Sequence, residues 1–374
     1  MSENFNVLMM GGHRCGKTSI LASMFDQMRD EPVKDYFTVT DRTVPEIKNG
    51  EMQESLSDKT LELQNMLESN QFGSHIFLVD HDAPSNCFWQ YKLHLQKPGK
   101  NLAFDITVTD TFDGAFEPNG LSSQRTRELV ENTDIFIIAI DTPFLMASKD
   151  PQCSELCPEI VNKMVNRIEE ICYFLTYINI HDGEDAKMVI FVPLKCEKWA
   201  KEGKLEEVAR RVEEVYEPHI TALKRYTKIN VGIIPVQTCG NIIFKEFSEP
   251  LIYDNGRKSV PCCRVNEGII LKENGELDLA NPDDVHPNTA YCLGRSGLLR
   301  PYSWFFVTPD NNNFEPENGD QLALHIIRFL LEKYKSKNIG SIFSRGKAEE
   351  AQQLIDEMRV DGIIKDDSGG IKII

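Results

Sequence analysis

Gly11-Gly12-His13-Arg14-Cys15-Gly16-Lys17-Thr18 sets glycines and a lysine-threonine pair at the spacing of the Walker A pattern. Glycines allow successive backbone N–H groups to turn inward around an anion, and a helix beginning at that point presents its positive end to the same anion. Lysine in this place bridges β- and γ-phosphates, and the threonine hydroxyl supplies a hard oxygen to Mg2+. The cradle expected from the sequence is Gly11, Gly12, His13, Arg14, Cys15, Gly16, Lys17, Thr18 and Ser19, with Lys17 and Thr18 at the reacting phosphates. His13 and Arg14 fall close to where a γ-phosphate would lie, as contacts to it or as exposed or structural residues.

A magnesium site beside such a cradle needs a carboxylate at the end of a neighbouring strand. Asp110, directly after the alternating run Phe104 to Thr109, occupies that place, so Thr18 and Asp110 are the candidate metal ligands. The plainer reading is that Asp105, Asp110 and Asp113 only solvate strand ends. Two further polar stretches follow apolar runs: Val192-Pro193-Leu194-Lys195-Cys196-Glu197 and Pro235-Val236-Gln237-Thr238-Cys239-Gly240.

The elements that would position these residues read as an α/β core. Phe5 to Met10 is a strand, and Lys17 to about Met28 a helix. Met52 to Glu68 has helical spacing at Leu56, Leu61, Leu63 and Leu67. Phe88 to Leu95 and Leu102 to Val108 alternate about the Lys97-Pro98-Gly99-Lys100 turn, which predicts an antiparallel hairpin. Ile135 to Ile140, Met188 to Val192 and Val231 to Val236 are apolar throughout, as strands covered on both faces require. Helices are expected over Ile160 to Leu175, Leu205 to about Arg225, Asp320 to Tyr334 and Ala348 to Met358. Between Asn241 and Pro301 short apolar pieces separated by Asp254-Asn255-Gly256 and Glu273-Asn274-Gly275 read as a β-rich insertion. Gly362 to Ile364 and Ile371 to Ile374 form a sticky pair of short runs that could serve assembly into a homo-oligomer.

Composition narrows the class. A net charge of -17 repels phosphate backbones and anionic lipid, which disfavours general nucleic-acid or membrane-surface binding. The ten cysteines lack the spacing of a secreted disulfide scaffold, so a reducing, cytoplasmic compartment fits. Cys153 with Cys157, and Cys262 with Cys263, have no partner pair for a zinc site and read as incidental thiols. Asn4 to Met10 is too brief for a signal peptide, and no stretch is long enough for a membrane span.

Taken in order, the motifs resemble those of TRAFAC-class P-loop GTPases, and the arrangement looks like the double-GTPase-like proteins of prokaryotic conflict systems. The resemblance covers about residues 5 to 240 and the Asp320 to Tyr334 helix. It implies an α/β P-loop NTPase three-layer fold, mostly parallel, with an antiparallel second strand and a β-rich insertion. A GTPase-like domain would span 1–335, including a switch I excursion at 30–86 and the insertion at 241–301, followed by a C-terminal appendage at 336–374. Asp110-Thr111-Phe112-Asp113-Gly114 resembles the D-x-x-G turn with one extra residue, which implies that the Gly114 amide senses the γ-phosphate within switch II. By resemblance to N-K-x-D, Lys195 packs along the base and ribose, and Glu197 accepts from guanine N1 and N2. Leu194 stands where the family has asparagine, and Glu197 is longer than the family aspartate. Thr238 and Cys239 fall in the S-A-K-type loop.

Two family features are missing. No threonine lies between Thr60 and Thr107 for switch I, leaving Ser74, Ser85, or a folded-back Thr38, Thr40 or Thr43. Ala115 follows Gly114 where Ras-like enzymes carry glutamine. The expected function is a GTP-binding, GTP-hydrolysing, Mg2+-dependent switch holding GTP or GDP. A residue from the insertion, from an unidentified protein activator or from a second protomer would assist hydrolysis. A non-hydrolysing adaptor for an unknown effector, and a P-loop ATPase or phosphotransferase, are the rivals.

Overall fold

The computed structural model describes residues 3–12, 15–48, 51–68, 75–76, 87–147, 158–178, 186–226, 228–248, 250–254, 259–266, 269–271, 277–278, 302–307, 313–338 and 345–374. Strand β1 (Glu3–Gly11) runs into the glycine-rich loop, and α1 (Lys17–Gln27) follows it. Next come α2 (Val33–Tyr36), β2 (Thr38–Asp41), the short pair β3 (Ile47–Lys48) and β4 (Glu51–Met52), α3 (Leu56–Glu68) and β5 (His75–Ile76). The expected hairpin is β6 (Trp89–Gln96) and β7 (Ala103–Asp110). Then follow α4 (Ser123–Glu131), β8 (Ile135–Asp141), α5 (Thr142–Leu145), α6 (Pro158–Val165), α7 (Ile168–Leu175), β9 (Lys187–Leu194), α8 (Glu197–Lys201), α9 (Leu205–Lys224) and β10 (Ile229–Ile233).

Strands β11 (Ile242–Ser248), β12 (Pro250–Asp254), β13 (Ser259–Asn266), β14 (Ile269–Leu271) and β15 (Leu277–Asp278) lie in the stretch expected as a β-rich insertion, and β16 (Tyr302–Val307) follows just beyond its expected end. Strand β11 pairs with β16, which also pairs with β5 from the earlier excursion. The chain ends in α10 (Gly319–Asn338), α11 (Arg345–Val360) and β17 (Lys372–Ile373).

The main sheet has eight strands in the order β17-β10-β9-β8-β1-β7-β6-β2. From β10 to β7 the neighbours are parallel; β6, β2 and β17 join antiparallel. This is the mostly parallel α/β arrangement of a P-loop NTPase, with the antiparallel strand immediately before β7. Period-two alternation explains the layers, because successive side chains leave opposite faces of a strand. Phe5, Val7 and Met9 meet Ile20, Met24, Leu322 and Leu330 on one side. Leu8 and Met10 meet Ile171, Phe174, Val212 and Tyr216 on the other. No helix among the described residues is long and apolar enough to cross a membrane.

Two local expectations need correction. The helix expected from Met52 begins at Leu56, because Ser55 and Asp58 cap each other reciprocally. Among its described side chains Leu56 and Thr60 are buried, whereas Leu61 points to solvent. The single helix expected over Ile160 to Leu175 is two, α6 and α7, separated where Arg167 takes a left-handed conformation with φ 51°. Ile160 is exposed, and Val161 and Val165 are the buried residues. Of the described residues toward the C-terminus, Ala351, Leu354, Met358 and Ile371 belong to the main core and β17 to the main sheet, and α10 runs to Asn338.

Candidate functional site

Strand order reverses at β1, whose neighbours β7 and β8 lead outward in opposite directions. The crevice beyond the carboxyl ends of the strands at such a point is where open α/β sheets bind ligands. Register brings the tips together: Met9 is opposite Asp110, Gly11 opposite Ala139, and Asp141 opposite Leu194.

The loop after β1 has glycine where nothing larger fits. A Cβ on Gly12 would lie 1.9 Å from the Val165 carbonyl oxygen at the end of α6, and Gly16 has φ +104°. His13 and Arg14 lie outside the described residues. Cys15 is buried, and burial pushes its thiol up against the opposing charges of Lys17 and Lys195, so it packs as a neutral group. Lys17 Nζ donates to the Gly11 and Gly12 carbonyls at 3.2 and 3.0 Å. Thr18 Oγ1 donates to Asp110 Oδ2 at 2.7 Å. Ser19 is half-buried, and its carbonyl accepts from Ser23 Oγ at 2.9 Å.

Asp110 is buried, and its Oδ1 has no hydrogen-bond partner. Burial raises its pKa, opposed by the Lys17 charge and by hydrogen bonds from Thr18 and the Thr111 backbone. A buried orphan carboxylate oxygen beside a hydroxyl is a hard-oxygen pair suited to Mg2+, which keeps its remaining positions for water and phosphate. Among the described residues no group of three or more His, Cys, Asp or Glu is placed to hold a metal, so a closed all-protein cage does not arise there.

Gly114 lies in a single 3-10 turn, Asp113–Phe116, after β7. Thr126 Oγ1 donates to the Ala115 carbonyl at 2.7 Å, and Ala115 and Phe116 are buried, so the turn is anchored to α4. The described switch I alternatives, Thr38, Thr40 and Thr43, are not brought to the site. Thr40 is opposite His94, and Thr38 opposite Gln96, whereas Asp110 is opposite Trp89. At roughly 3.3 Å per residue, His94 is about 17 Å along the strand from Trp89. Thr43 Oγ1 accepts from the Lys92 amide at 3.0 Å, also away from Asp110. Ser74 and Ser85 lie outside the described residues.

Beside the phosphate loop, a Cβ on Gly16 would lie 3.3 Å from Leu194 Cδ1, so the end of β9 presents an apolar side chain to the loop. Lys195 has φ 56°, and its Nζ donates to Asp141 Oδ2 at 2.5 Å. Glu197 opens α8 and is buried, with Oε2 lacking a partner. Burial pushes its carboxyl up to about 7, opposed by the amides of Glu197, Cys239 and Thr238 and by the Lys195 charge. The loop carrying Thr238 and Cys239 therefore faces the Glu197 carboxylate. Both residues are buried; burial, with the Glu197 charge adding, pushes the Cys239 thiol up to about 12. Gln237 and Glu317 exchange backbone hydrogen bonds at 3.0 and 2.9 Å, pinning this loop from behind.

No protein-family model matches the chain, and no curated protein matches it. Among solved structures it is similar to the S. cerevisiae Ski7 GTPase-like domain bound to GDP and inorganic phosphate, at 14% identity, TM-score 0.35, covering 63% of this chain and 43% of that chain. The same domain bound to GTP gives the same values. Sup35 complexed with GDP is similar at 10% identity and TM-score 0.28, covering 64% of this chain and 38% of that chain. The chain spans less than half the length of each of these structures. Overlap at that level decides nothing about chemistry, which rests on the residues of this chain.

Three polar residues at the rim went unread in the sequence. Thr111 Oγ1 donates to the Met9 carbonyl at 2.6 Å and ties the end of β7 to β1. Asp141 ends β8 as Asp110 ends β7, a strand-end carboxylate signal that was present and could have been read. Asn166 sits at the break between α6 and α7, and only the tertiary structure reveals what it holds. The described cysteines 15, 87, 172, 196 and 239 are all buried free thiols; Cys153 and Cys157 lie outside the described residues.

Proposed function

We propose that this chain binds a guanine nucleotide with Mg2+ and hydrolyses GTP slowly, as a switch. The observation that carries the reading is the convergence of Lys17, Thr18 and Asp110 at the strand-order reversal, with Asp110 Oδ1 buried and unpaired. Lys17 would leave the Gly11 and Gly12 carbonyls for the β- and γ-oxygens, and backbone amides of the loop would orient the chain of phosphates. Thr18 and Asp110 would hold Mg2+, which when bound neutralises charge on the β- and γ-oxygens. Glu197 would accept from guanine N1–H and N2–H with its unpaired oxygen, and Lys195 would lie along the base and ribose. Lys195, Glu197, Thr238 and Cys239 thus form the base end of the proposed site.

Ala115 offers no side chain to orient water, and Thr126 holds its backbone. Turnover should therefore be slow for the chain alone, and a protein activator or a second protomer would supply the missing group. Those same features favour a second reading, a nucleotide-binding adaptor that does not hydrolyse.

Single-turnover hydrolysis of GTP and ATP separates the readings. We expect GTP cleavage at on the order of 10⁻⁴ to 10⁻² s⁻¹, as for switches lacking an activator's contribution. Lys17→Ala should lose tight triphosphate binding, and Asp110→Ala should lose most of the Mg2+ dependence with the fold intact. Tight GTP binding with no cleavage selects the adaptor. Faster cleavage of ATP selects an ATPase, and wild-type affinity in Lys17→Ala removes the phosphate loop from the account.

A further inference from the structure

Asp141 belongs to neither the phosphate loop nor the base motifs, yet it is the carboxylate that Lys195 Nζ meets at 2.5 Å. The pair is nearly dry, with side-chain exposures of 15% for Lys195 and 3% for Asp141. Removing one member of a desolvated, hydrogen-bonded pair leaves the other charge uncompensated. Asp141 is itself held on its backbone. Asn166 Oδ1 accepts from the Asp141 amide at 2.7 Å, and Asn166 Nδ2 donates to the Asp141 carbonyl at 3.3 Å and to Asn162 Oδ1 at 2.7 Å. Asn166 can make these bonds because the helix breaks there, and the same break brings the Val165 carbonyl against Gly12.

We propose that Asp141 is a positioning residue for nucleotide specificity: held by Asn166, it fixes the Lys195 ammonium and so aligns that side chain's methylenes across the base and ribose. Lys195 has a left-handed backbone, an unfavourable conformation for a long side chain unless its surroundings hold it. The Asp141 contact, at the tip of the adjacent parallel strand, anchors the far end of that side chain. The role rests on the guanine-nucleotide reading of the site and extends it to a residue outside the motifs. Because Asp141 acts at the base end, it should affect nucleotides and not bare polyphosphate.

The test is a double-mutant cycle on the full chain with Asp141→Asn, Lys195→Met and the pair, reading GDP and inorganic tripolyphosphate affinity with Mg2+ present. Asp141→Asn keeps the shape and removes the charge, and Asn166→Ala is a second variant that leaves the pair intact but frees it. We expect Asp141→Asn to weaken GDP by about tenfold or more, the scale of a lost charge-assisted hydrogen bond. Asn166→Ala should weaken it by less, and tripolyphosphate affinity should hold within about twofold, a small fraction of the tenfold step. The double mutant should bind GDP no worse than Lys195→Met alone, because Asp141 acts through the lysine. Additive losses, or an equal loss for tripolyphosphate, would mark Asp141 as a general structural residue and overturn the proposal. Wild type that binds tripolyphosphate but no guanine nucleotide would instead sink the reading of the base site, and with it this role.

Discussion

Glu197 is where burial and ligand chemistry pull in opposite directions. Desolvation raises its carboxyl from 4.5 to about 7, so in the empty protein it carries a proton across the acidic range. The stabilisation from that proton is fully present below about 4.5 and is lost as pH rises through about 7, amounting to roughly 3 kcal/mol. Glu197→Gln should therefore raise the unfolding free energy of the empty protein at pH 8 and flatten its decline between pH 5 and 8. Denaturant unfolding at several pH values measures this; an unchanged slope would place Glu197 in a solvated setting. Guanine binding runs the other way, because N1–H and N2–H need the ionised carboxylate as acceptor. GDP affinity of the wild type should rise up to about tenfold from pH 6 to pH 8 with a proton released on binding. Calorimetry in buffers of different ionisation enthalpy reads that proton, and Glu197→Gln should abolish its release.

The residues themselves were readable in part, for physical reasons that differ from one to another. Lys17, Thr18 and Asp110 stand out in the sequence because strand, turn and helix signals bracket them, and in the structure Thr18 hydrogen-bonds Asp110. Asn166 carries no local pattern, and the strand-end position of Asp141 says nothing of its partners: their meaning comes from a contact between β8 and the end of α6. The same limit applied to Thr38 and Thr40, whose distance from Asp110 depends on β2 joining the outer edge of the sheet.

Among the elements, the long apolar strands were the most legible, since β8 and β9 are buried along their whole length. The break between α6 and α7 leaves no trace in the sequence pattern, because the apolar residues keep a helical period on both sides of it. Nothing in that period shows Asn166 leaving the helix to hold Asp141. Gly12 makes the break testable. A methyl there would overlap the Val165 carbonyl at 1.9 Å, so the loop or the end of α6 must shift. Gly12→Ala should lower stability by about 1–3 kcal/mol, the cost of overpacking a close contact, and weaken nucleotide binding as well. Thermal unfolding and GDP titration of that variant check both, and an unperturbed variant would show that the loop leaves α6 freely.

At the scale of the whole molecule, the C-terminal segment is part of the core. Ala351, Leu354 and Met358 from α11 pack with Leu322, Leu330 and Tyr334 of α10, and Ile371 leads into the edge strand β17. The sequence pattern gave α11 its period but could not say what its apolar face meets. A chain ending at Asn338 should lose several kcal/mol, since each buried leucine or methionine contributes about 1.5–3 kcal/mol. It should unfold at a markedly lower temperature, with GDP restoring only part of the difference; equal unfolding temperatures would make the segment a true appendage. The net charge of -17 acts over the same scale, and it leaves attraction for a polyphosphate to local groups such as Lys17.

The base preference of the proposed nucleotide site turns on Glu197, a buried carboxylate beside the Thr238 and Cys239 amides. Glu197 can accept both N1–H and N2–H of guanine, but it meets an acceptor at N1 and no amine at C2 in adenine, leaving its charge unpaired. Competition binding of GTP against ATP, on wild type and on Glu197→Ala, tests this most directly. We predict a preference for GTP in the wild type, smaller than the ~10⁴-fold reachable by a fully matched site because the glutamate is long and Leu194 replaces an amide. Glu197→Ala should cost GTP about 2 kcal/mol and leave ATP nearly unchanged. Equal binding of ATP and GTP by the wild type, or an equal loss of both in the variant, would contradict the guanine reading.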